Sequence, residues 1–415
     1  MLHYILYGIT LYTLIFFAYI KLKYPFWNNQ PVYHTYDFIR GFYSVPFCVN
    51  KHVPAKTKYY DPSHIQTNQY VTLKETTKKQ IIDMMQCYYI NTDRIIHTIN
   101  SNDLHAYLTG QSELSQVSIY FEHQYEQTFD LSLGSQLLRK YKPLGCVTSR
   151  KLNFWHINKN NASQNYTELP IYFIDYLCVS RCNEMTIIYR KLIQTHEYHQ
   201  RIETPNINCS LIKKEIELFH GIVPLVEYDT YTYKLRNHAI PKLPKYYHVI
   251  QLTSDNLDIY TDFFYTNNDY CSKTKLYDIL IFPDVGNIQE MLKNKLIHIY
   301  CLKAKEHIYG FYFFKDAKMY YEDVETNTLQ CINSVMNCLS TEIFYAGYMN
   351  SLREIIRKDT SFTMLLFEDI GHNHILFQFW NKKYSPIFKN KTAYYLYNYI
   401  YPGSPLNKSR IFVLN

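Results

Sequence analysis

The chain has 415 residues, 47% of them apolar and 19% charged, enough to bury two cores or one duplicated fold and too apolar for a disordered protein. Its formal net charge is +7, with basic residues scattered through Tyr- and Ile-rich segments, which argues against a nucleic-acid partner and suits an anionic membrane surface or a polyphosphate ligand. Ten Cys without a CxxC pair, and His34, His52, His105 and His123 without HxxxH or HxH spacing, give no reason to expect a disulfide framework or a metal site.

Residues 2–20 (LHYILYGITLYTLIFFAYI) carry no formal charge and are followed by Lys21 and Lys23. As a helix they span about 28 Å, close to a bilayer hydrocarbon core. Tyr4, Tyr7 and Tyr19 lie near the two ends, where interfacial aromatics sit. No basic region precedes the run and no small-x-small site follows it, so a cleaved signal peptide fits poorly. A soluble core helix is seldom apolar all round. Lysines only after the span predict a single-pass anchor with the body on the cytosolic side. The sequons Asn161-Ala162-Ser163 and Asn165-Tyr166-Thr167 point the other way, but an Asn-rich chain generates such triplets by chance.

Past the anchor a strand is predicted at 117–120, and another opens at Pro143-Leu144-Gly145-Cys146-Val147. Residues 171–179 (IYFIDYLCV) read as a strand and about 184–198 as a helix, with Ile188, Leu192 and Thr195 on one face. The pattern recurs. Strands are predicted at 296–302 and 308–314 with a turn at 303–307, then a helix over about 341–357 with Phe344, Tyr348, Leu352 and Ile355 aligned. Two similar α+β halves meeting near His220-Gly221 are the simplest architecture. This divides the chain into an anchor (1–22), an N-terminal half (23–220) and a C-terminal half (221–415). The apolar run at 411–414 predicts a final strand running inward, since an exposed tail usually ends polar and frayed. Hairpin, strand, then helix is the order of elements in GNAT-type acyltransferases. A strand that ends at a helix N-terminus offers free N–H groups to a pyrophosphate.

Three segments carry more specific information. They read Tyr24-Pro25-Phe26-Trp27-Asn28-Asn29-Gln30-Pro31-Val32, Ile174-Asp175-Tyr176-Leu177-Cys178-Val179, and Tyr394-Tyr395-Leu396-Tyr397-Asn398-Tyr399. In this order they resemble three motifs of protein N-myristoyltransferases: aromatic-Phe-Trp-x-x-Gln-Pro-Val, hydrophobic-Asn-Phe-Leu-Cys-Val, and Tyr-Tyr-Leu-Tyr-Asn-Trp near the carboxyl end. The resemblance covers about residue 24 to the end. It implies a duplicated GNAT-like α+β fold of mixed sheets with flanking helices, preceded here by one transmembrane helix. It also implies no permanently bound cofactor, and transfer of a long acyl chain, typically myristoyl, from acyl-CoA to the N-terminal glycine of a protein. By position, Pro25, Phe26, Trp27, Cys178, Val179 and Arg181 then contact the acyl-CoA. The backbone N–H groups of Tyr176 and Leu177 form the oxyanion hole, and the terminal carboxylate of Asn415 is the base. A monomer is expected. A covalent acyl-Cys178 is the rival reading of that cysteine, but no basic neighbour in sequence would make it a thiolate, and a buried strand cysteine is preferred.

The chain departs from the family in three places. The basic loop after the second motif is reduced to Arg181 in Ser180-Arg181-Cys182-Asn183-Glu184, with Arg190-Lys191 two turns further on. The Gly-rich acidic segment before the third motif is Ile387-Phe388-Lys389-Asn390-Lys391-Thr392, and Lys213-Lys214-Glu215 stands where the family has Thr-Ala-Gly. Two alternatives therefore stay open: a catalytically degenerate membrane scaffold that binds acyl chains or peptides, and an acyltransferase with another donor or acceptor. The 44 Tyr fit the codon bias of an AT-rich genome. That is compatible with a divergent viral member anchored in a host membrane.

Overall fold

The computed structural model describes residues 2–37, 39, 45–90, 95–130, 134–157, 166–235, 240–266, 277–321 and 326–415. Asn161 and Asn165 of the two sequons lie outside them. The first helix, α1 (Leu2–Lys23), continues three residues past the predicted run. Its apolar side chains stand free of the body (Tyr4 is 83% exposed, Leu14 62%), whereas Ile20 is 3% exposed and packs at its foot. Among the described residues α1 alone is long and apolar enough to cross a membrane.

The N-terminal half contains α2 (Glu75–Tyr88), α3 (Ser101–Leu108), β1 (Gln116–Asp130), β2 (Gly134–Ile157), β3 (Tyr166–Val179), α4 (Met185–Glu203) and β4 (Ser210–Glu215). The C-terminal half contributes β5 (Val226–Lys234), β6 (Tyr247–Gln251), β7 (Ile279–Phe282), α5 (Val285–Lys293), β8 (Ile297–Ala304), β9 (His307–Tyr321) and β10 (Thr326–Met336). It ends with α6 (Thr341–Lys358), β11 (Phe362–Glu368), α7 (Asn373–Trp380), β12 (Phe388–Tyr397) and β13 (Ile411–Val413). The duplication is explicit in the pairing. Strand β3 is antiparallel to β2 and parallel to β4 across α4, and β10 is antiparallel to β9 and parallel to β11 across α6. A parallel neighbour demands such a crossover, and a helix supplies it.

The halves share one sheet, in the order β13-β7-β2-β3-β4-β12-β5-β11-β10-β9-β8-β6. Strand β12 sits between β4 and β5, and β7 and β13 extend the edge beyond β2. The last strands of the chain thus complete the sheet of its first half. Both predicted helical faces are buried: Ile188, Leu192 and Thr195 on α4, and Phe344, Tyr348, Leu352 and Ile355 on α6. Helix α4 runs to Glu203, beyond the predicted end, because polar Gln194, His196, Glu197, Gln200 and Arg201 are buried along with its apolar stripe. An apolar period cannot register buried polar residues.

Candidate active site

The central feature is a parting of strands. Parallel pairing of β3 with β4 is confined to Tyr172–Ile174 and Ser210–Ile212; past it, β3 stays with β2 and β4 stays with β12. At the parting β3 bulges. Thr148 of β2 faces Asp175 and Cys146 faces Cys178, so Tyr176 and Leu177 together oppose Val147. Tyr176 adopts φ 49°, a left-handed conformation that costs a non-glycine residue and needs support from its surroundings. Three rings give that support: Tyr89 at 4.9 Å, Tyr107 at 5.2 Å and His97 at 5.8 Å between centroids.

Asp175 is held on the same bulge. Its carboxylate accepts hydrogen bonds from the hydroxyls of Tyr89 (2.7 Å) and Tyr107 (2.7 Å) and from the backbone N–H of Tyr176 (2.8 Å). Burial, and then the Asp175 charge, raise the Tyr89 phenol well above its usual range, so it remains a donor. The Tyr176 N–H, predicted as an oxyanion donor, is therefore engaged with Asp175 in this structure.

A cavity of about 80 Å³ occupies the parting, bordered by Asp175 and Tyr176 on one side, Lys213 and Glu215 on the other, and Lys315 and Asn415. Asn415 reaches it because Ile411–Val413 pair in parallel with Ile279–Ile281, and the Leu414 N–H donates to the Ile281 carbonyl at 2.8 Å. Leu414 is fully buried and Asn415 is 8% exposed. The Tyr394 hydroxyl of the third motif donates to the Asn415 side chain at 3.0 Å, and Lys315 Nζ lies 3.4 Å from its backbone oxygen. Burial pushes the Lys315 ammonium down to about 8, against the pull of Asp175. Lys213 behaves oppositely. Burial opposes its charge, but Glu215 at 2.8 Å and Glu368 at 2.7 Å outweigh that and raise it well above the usual range. Glu368 is buried and is further held by Tyr228 and Gln330.

A second, open cleft of about 830 Å³ is bordered by Lys23, Pro25, Phe26, Trp27, Arg190 and Lys214, with Glu217, Phe219 and His220 also on its walls. Phe26 is 3% exposed and packs on Tyr59 and on Ile193 of α4, with Leu177 of the bulge against the same cluster. The first motif therefore reaches the bulge through direct packing. It also meets the third motif. The Tyr397 hydroxyl donates to Gln30 (2.5 Å), Gln30 donates to Gln194 of α4 (3.0 Å), and the Asn398 N–H donates to the Pro31 carbonyl (2.7 Å). Two segments more than 360 positions apart thus make one buried joint.

Neither Cys178 nor Val179 borders either cavity. Cys178 is fully buried with its sulfur 3.4 Å from that of Cys146, and Val179 packs with Leu144, Val147, Ile188 and Leu192. Arg181 and the turn leading into α4 are exposed. Among the described residues, no three His, Cys, Asp or Glu side chains converge as metal ligands. Sequence reading missed Lys315, the Asp175 clamp by two tyrosines, and the Lys213–Glu368 pair. The predicted strand stops at 314, one residue short of Lys315, whereas the observed strand runs on to Tyr321, and nothing in the apolar pattern marks that lysine as buried.

Compared with solved structures, the chain is similar to Saccharomyces cerevisiae N-myristoyltransferase with bound myristoyl-CoA, at TM-score 0.66 and 11% identity over 94% of this chain and 99% of that one. It has the N-myristoyltransferase fold. A second structure of the yeast enzyme with myristoyl-CoA gives TM-score 0.65 at 12% identity over 93% of this chain and 90% of that one. A third, with myristoyl-CoA and inhibitors, gives 0.64 at 12% identity over 95% of each chain. No family model and no curated protein matches the sequence. At 11–12% identity the likeness is one of fold rather than of overall sequence.

Proposed function

We propose that the chain is a membrane-anchored, acyl-CoA-dependent N-acyltransferase that moves a long acyl chain to the N-terminal glycine amine of a protein. The observation that carries this reading is the shared cavity, which both the bulge at Tyr176 and the carboxyl end at Asn415 border. The acyl-CoA lies along Pro25, Phe26 and Trp27, and its thioester reaches the bulge beside Leu177. Arg181, exposed at the start of α4, approaches the phosphates, while Cys178 and Val179 act by packing the strand behind the thioester.

The Asn415 carboxylate takes a proton from the glycine ammonium, and the freed amine attacks the thioester carbon. The carbonyl oxygen becomes an oxyanion, met by the N–H groups of Leu177 and Tyr176; fixed backbone dipoles need no reorganisation to do so. Donation by Tyr176 requires its N–H to turn from the Asp175 carboxylate. Collapse of the intermediate breaks the C–S bond, and the CoA thiol leaves with the second nitrogen proton. An α-carboxyl of pKa about 3.5 is a weak base for an amine of about 7.8 in water, and burial narrows that gap from both sides.

Binding carries the test. Each buried CH₂ of the chain contributes about 0.8 kcal/mol, which offsets the thin basic loop. The chain lacking residues 1–22 should gain thermal stability with myristoyl-CoA, since a ligand of the native state must stabilise it. The gain should fall steeply on shortening the acyl chain and only slightly on removing the CoA 3′-phosphate. Equal shifts with acetyl-CoA and myristoyl-CoA contradict the reading. A non-catalytic acyl-binding scaffold is favoured by one observation, the engagement of the Tyr176 N–H by Asp175. Stabilisation by myristoyl-CoA without acylation of any glycine peptide selects it.

A further inference from the structure

The open cleft begins where α1 ends. Lys23 is both the last residue of the helix and part of the cleft wall, and Phe26 stands three positions on. At no more than about 3.5 Å per residue, that keeps Phe26 within about 10 Å of the helix end, comparable with the depth of a headgroup layer. The joint is rigid. The Tyr24 N–H continues the helical bonding to the Ile20 carbonyl at 2.8 Å, and Ile20 is buried on the body. The Tyr24 ring lies so close to Gly221 that a Cβ there would sit 2.7 Å from it, and Gly221 has φ +86°.

Charge and apolar surface follow the same geometry. Among the described residues, Lys23, Arg190 and Lys214 border the cleft with one carboxylate, Glu217, beside them. Ile216, 65% exposed, stands at its rim. Cationic groups at headgroup depth attract phosphates of an anionic surface, and an apolar rim favours contact with the acyl boundary. A long-chain acyl-CoA adsorbed on a bilayer presents these two features, phosphates in the headgroup layer and chain below it. Leaving through water would expose the whole chain.

Resting on the acyl-CoA and anchor readings above, we propose that this cleft takes long-chain acyl-CoA laterally from the bilayer that holds α1. The phosphates lie against Lys23, Arg190 and Lys214, and the chain passes Phe26 and Trp27 without entering bulk water.

The full chain reconstituted in vesicles containing anionic lipid tests this with a diazirine-bearing palmitoyl-CoA, placed in the same vesicles or in separate protein-free ones. Excess albumin is added as an aqueous trap, and labelling is read before the trap has stripped the vesicles. Same-vesicle labelling should stay within twofold of its value without albumin, and separate-vesicle labelling should fall more than tenfold. Equal suppression in both arms overturns lateral loading while leaving acyl-CoA binding intact. Absence of labelling in both arms without albumin overturns the binding reading itself. Arg190→Glu combined with Lys214→Glu, with an unchanged melting temperature, should cut same-vesicle labelling at least fivefold. Unchanged labelling of that variant overturns the phosphate contacts.

Discussion

At Asn415 the end of the chain is enclosed by tertiary contacts: Tyr394 on its side chain, Lys315 on its backbone oxygen, and Leu414 buried behind it. The base role proposed for the Asn415 carboxylate tolerates no added residue. Appending a short tag, or deleting Leu414 and Asn415, should abolish transfer and leave acyl-CoA binding nearly intact. Wild-type turnover by a tagged chain would rule out the role given to Asn415. Lys315 bears a different load. Its ammonium falls from 10.5 to about 8 on folding, chiefly through burial, so the native state binds its proton more weakly than the unfolded state. The resulting cost is fully present below pH 8 and disappears as pH rises to 10.5. Lys315→Met should therefore stabilise the body near neutrality by at most about 3 kcal/mol, less where water reaches the side chain, with the gap closing by pH 10.5. Thermal melts of both proteins across that range check it; a gap that widens with pH contradicts the assignment.

Among the elements, α1 and β3 depend on their surroundings most. An apolar helix left bare by the body has no stable place in water; in the proposed anchoring α1 lies in lipid, with Lys21 and Lys23 at its cytosolic end. Carbonate extraction should leave the chain with membranes, and protease added outside cytosol-facing vesicles should digest the body. A protected body glycosylated at Asn161 or Asn165 would refute that orientation. The bulge of β3 rests on neighbouring elements. Tyr89 follows α2 and Tyr107 belongs to α3, and their hydroxyls and rings lock Asp175 and left-handed Tyr176 in place. The turn entering α4 is exposed, and Arg181 alone keeps the basic character that the resemblance associates with it.

At the scale of the whole molecule, buried histidines among the described residues contribute sensitivity to acid. Burial lowers His97 to about 4, and lowers His196 and His372 to about 3. Each is protonated more readily unfolded than folded, so its neutral form stabilises the native state above pH 6.5 and that stability is lost as pH falls below it. Between pH 6.5 and about 4 each costs about 1.4 kcal/mol per pH unit. A midpoint of unfolding insensitive to pH from 6.5 to 4.5 would contradict this; replacing His196 with Gln should flatten the dependence. The local pattern was sufficient for α1, the two helical faces, the repeated hairpin–strand–helix order and the inward final strand, because each is written in apolar residues at a period of one element. The three motifs were legible as residue strings. Their joint was not, since Gln30 and Tyr397 meet only when β12 enters the sheet between the halves. Likewise the bulge, the Asp175 clamp and the enclosure of Lys315 depend on side chains from the end of α2, α3, β9 and the carboxyl end converging in space. The burial that shifts a pKa or holds a residue at positive φ is a property of that convergence, and no window of sequence contains it.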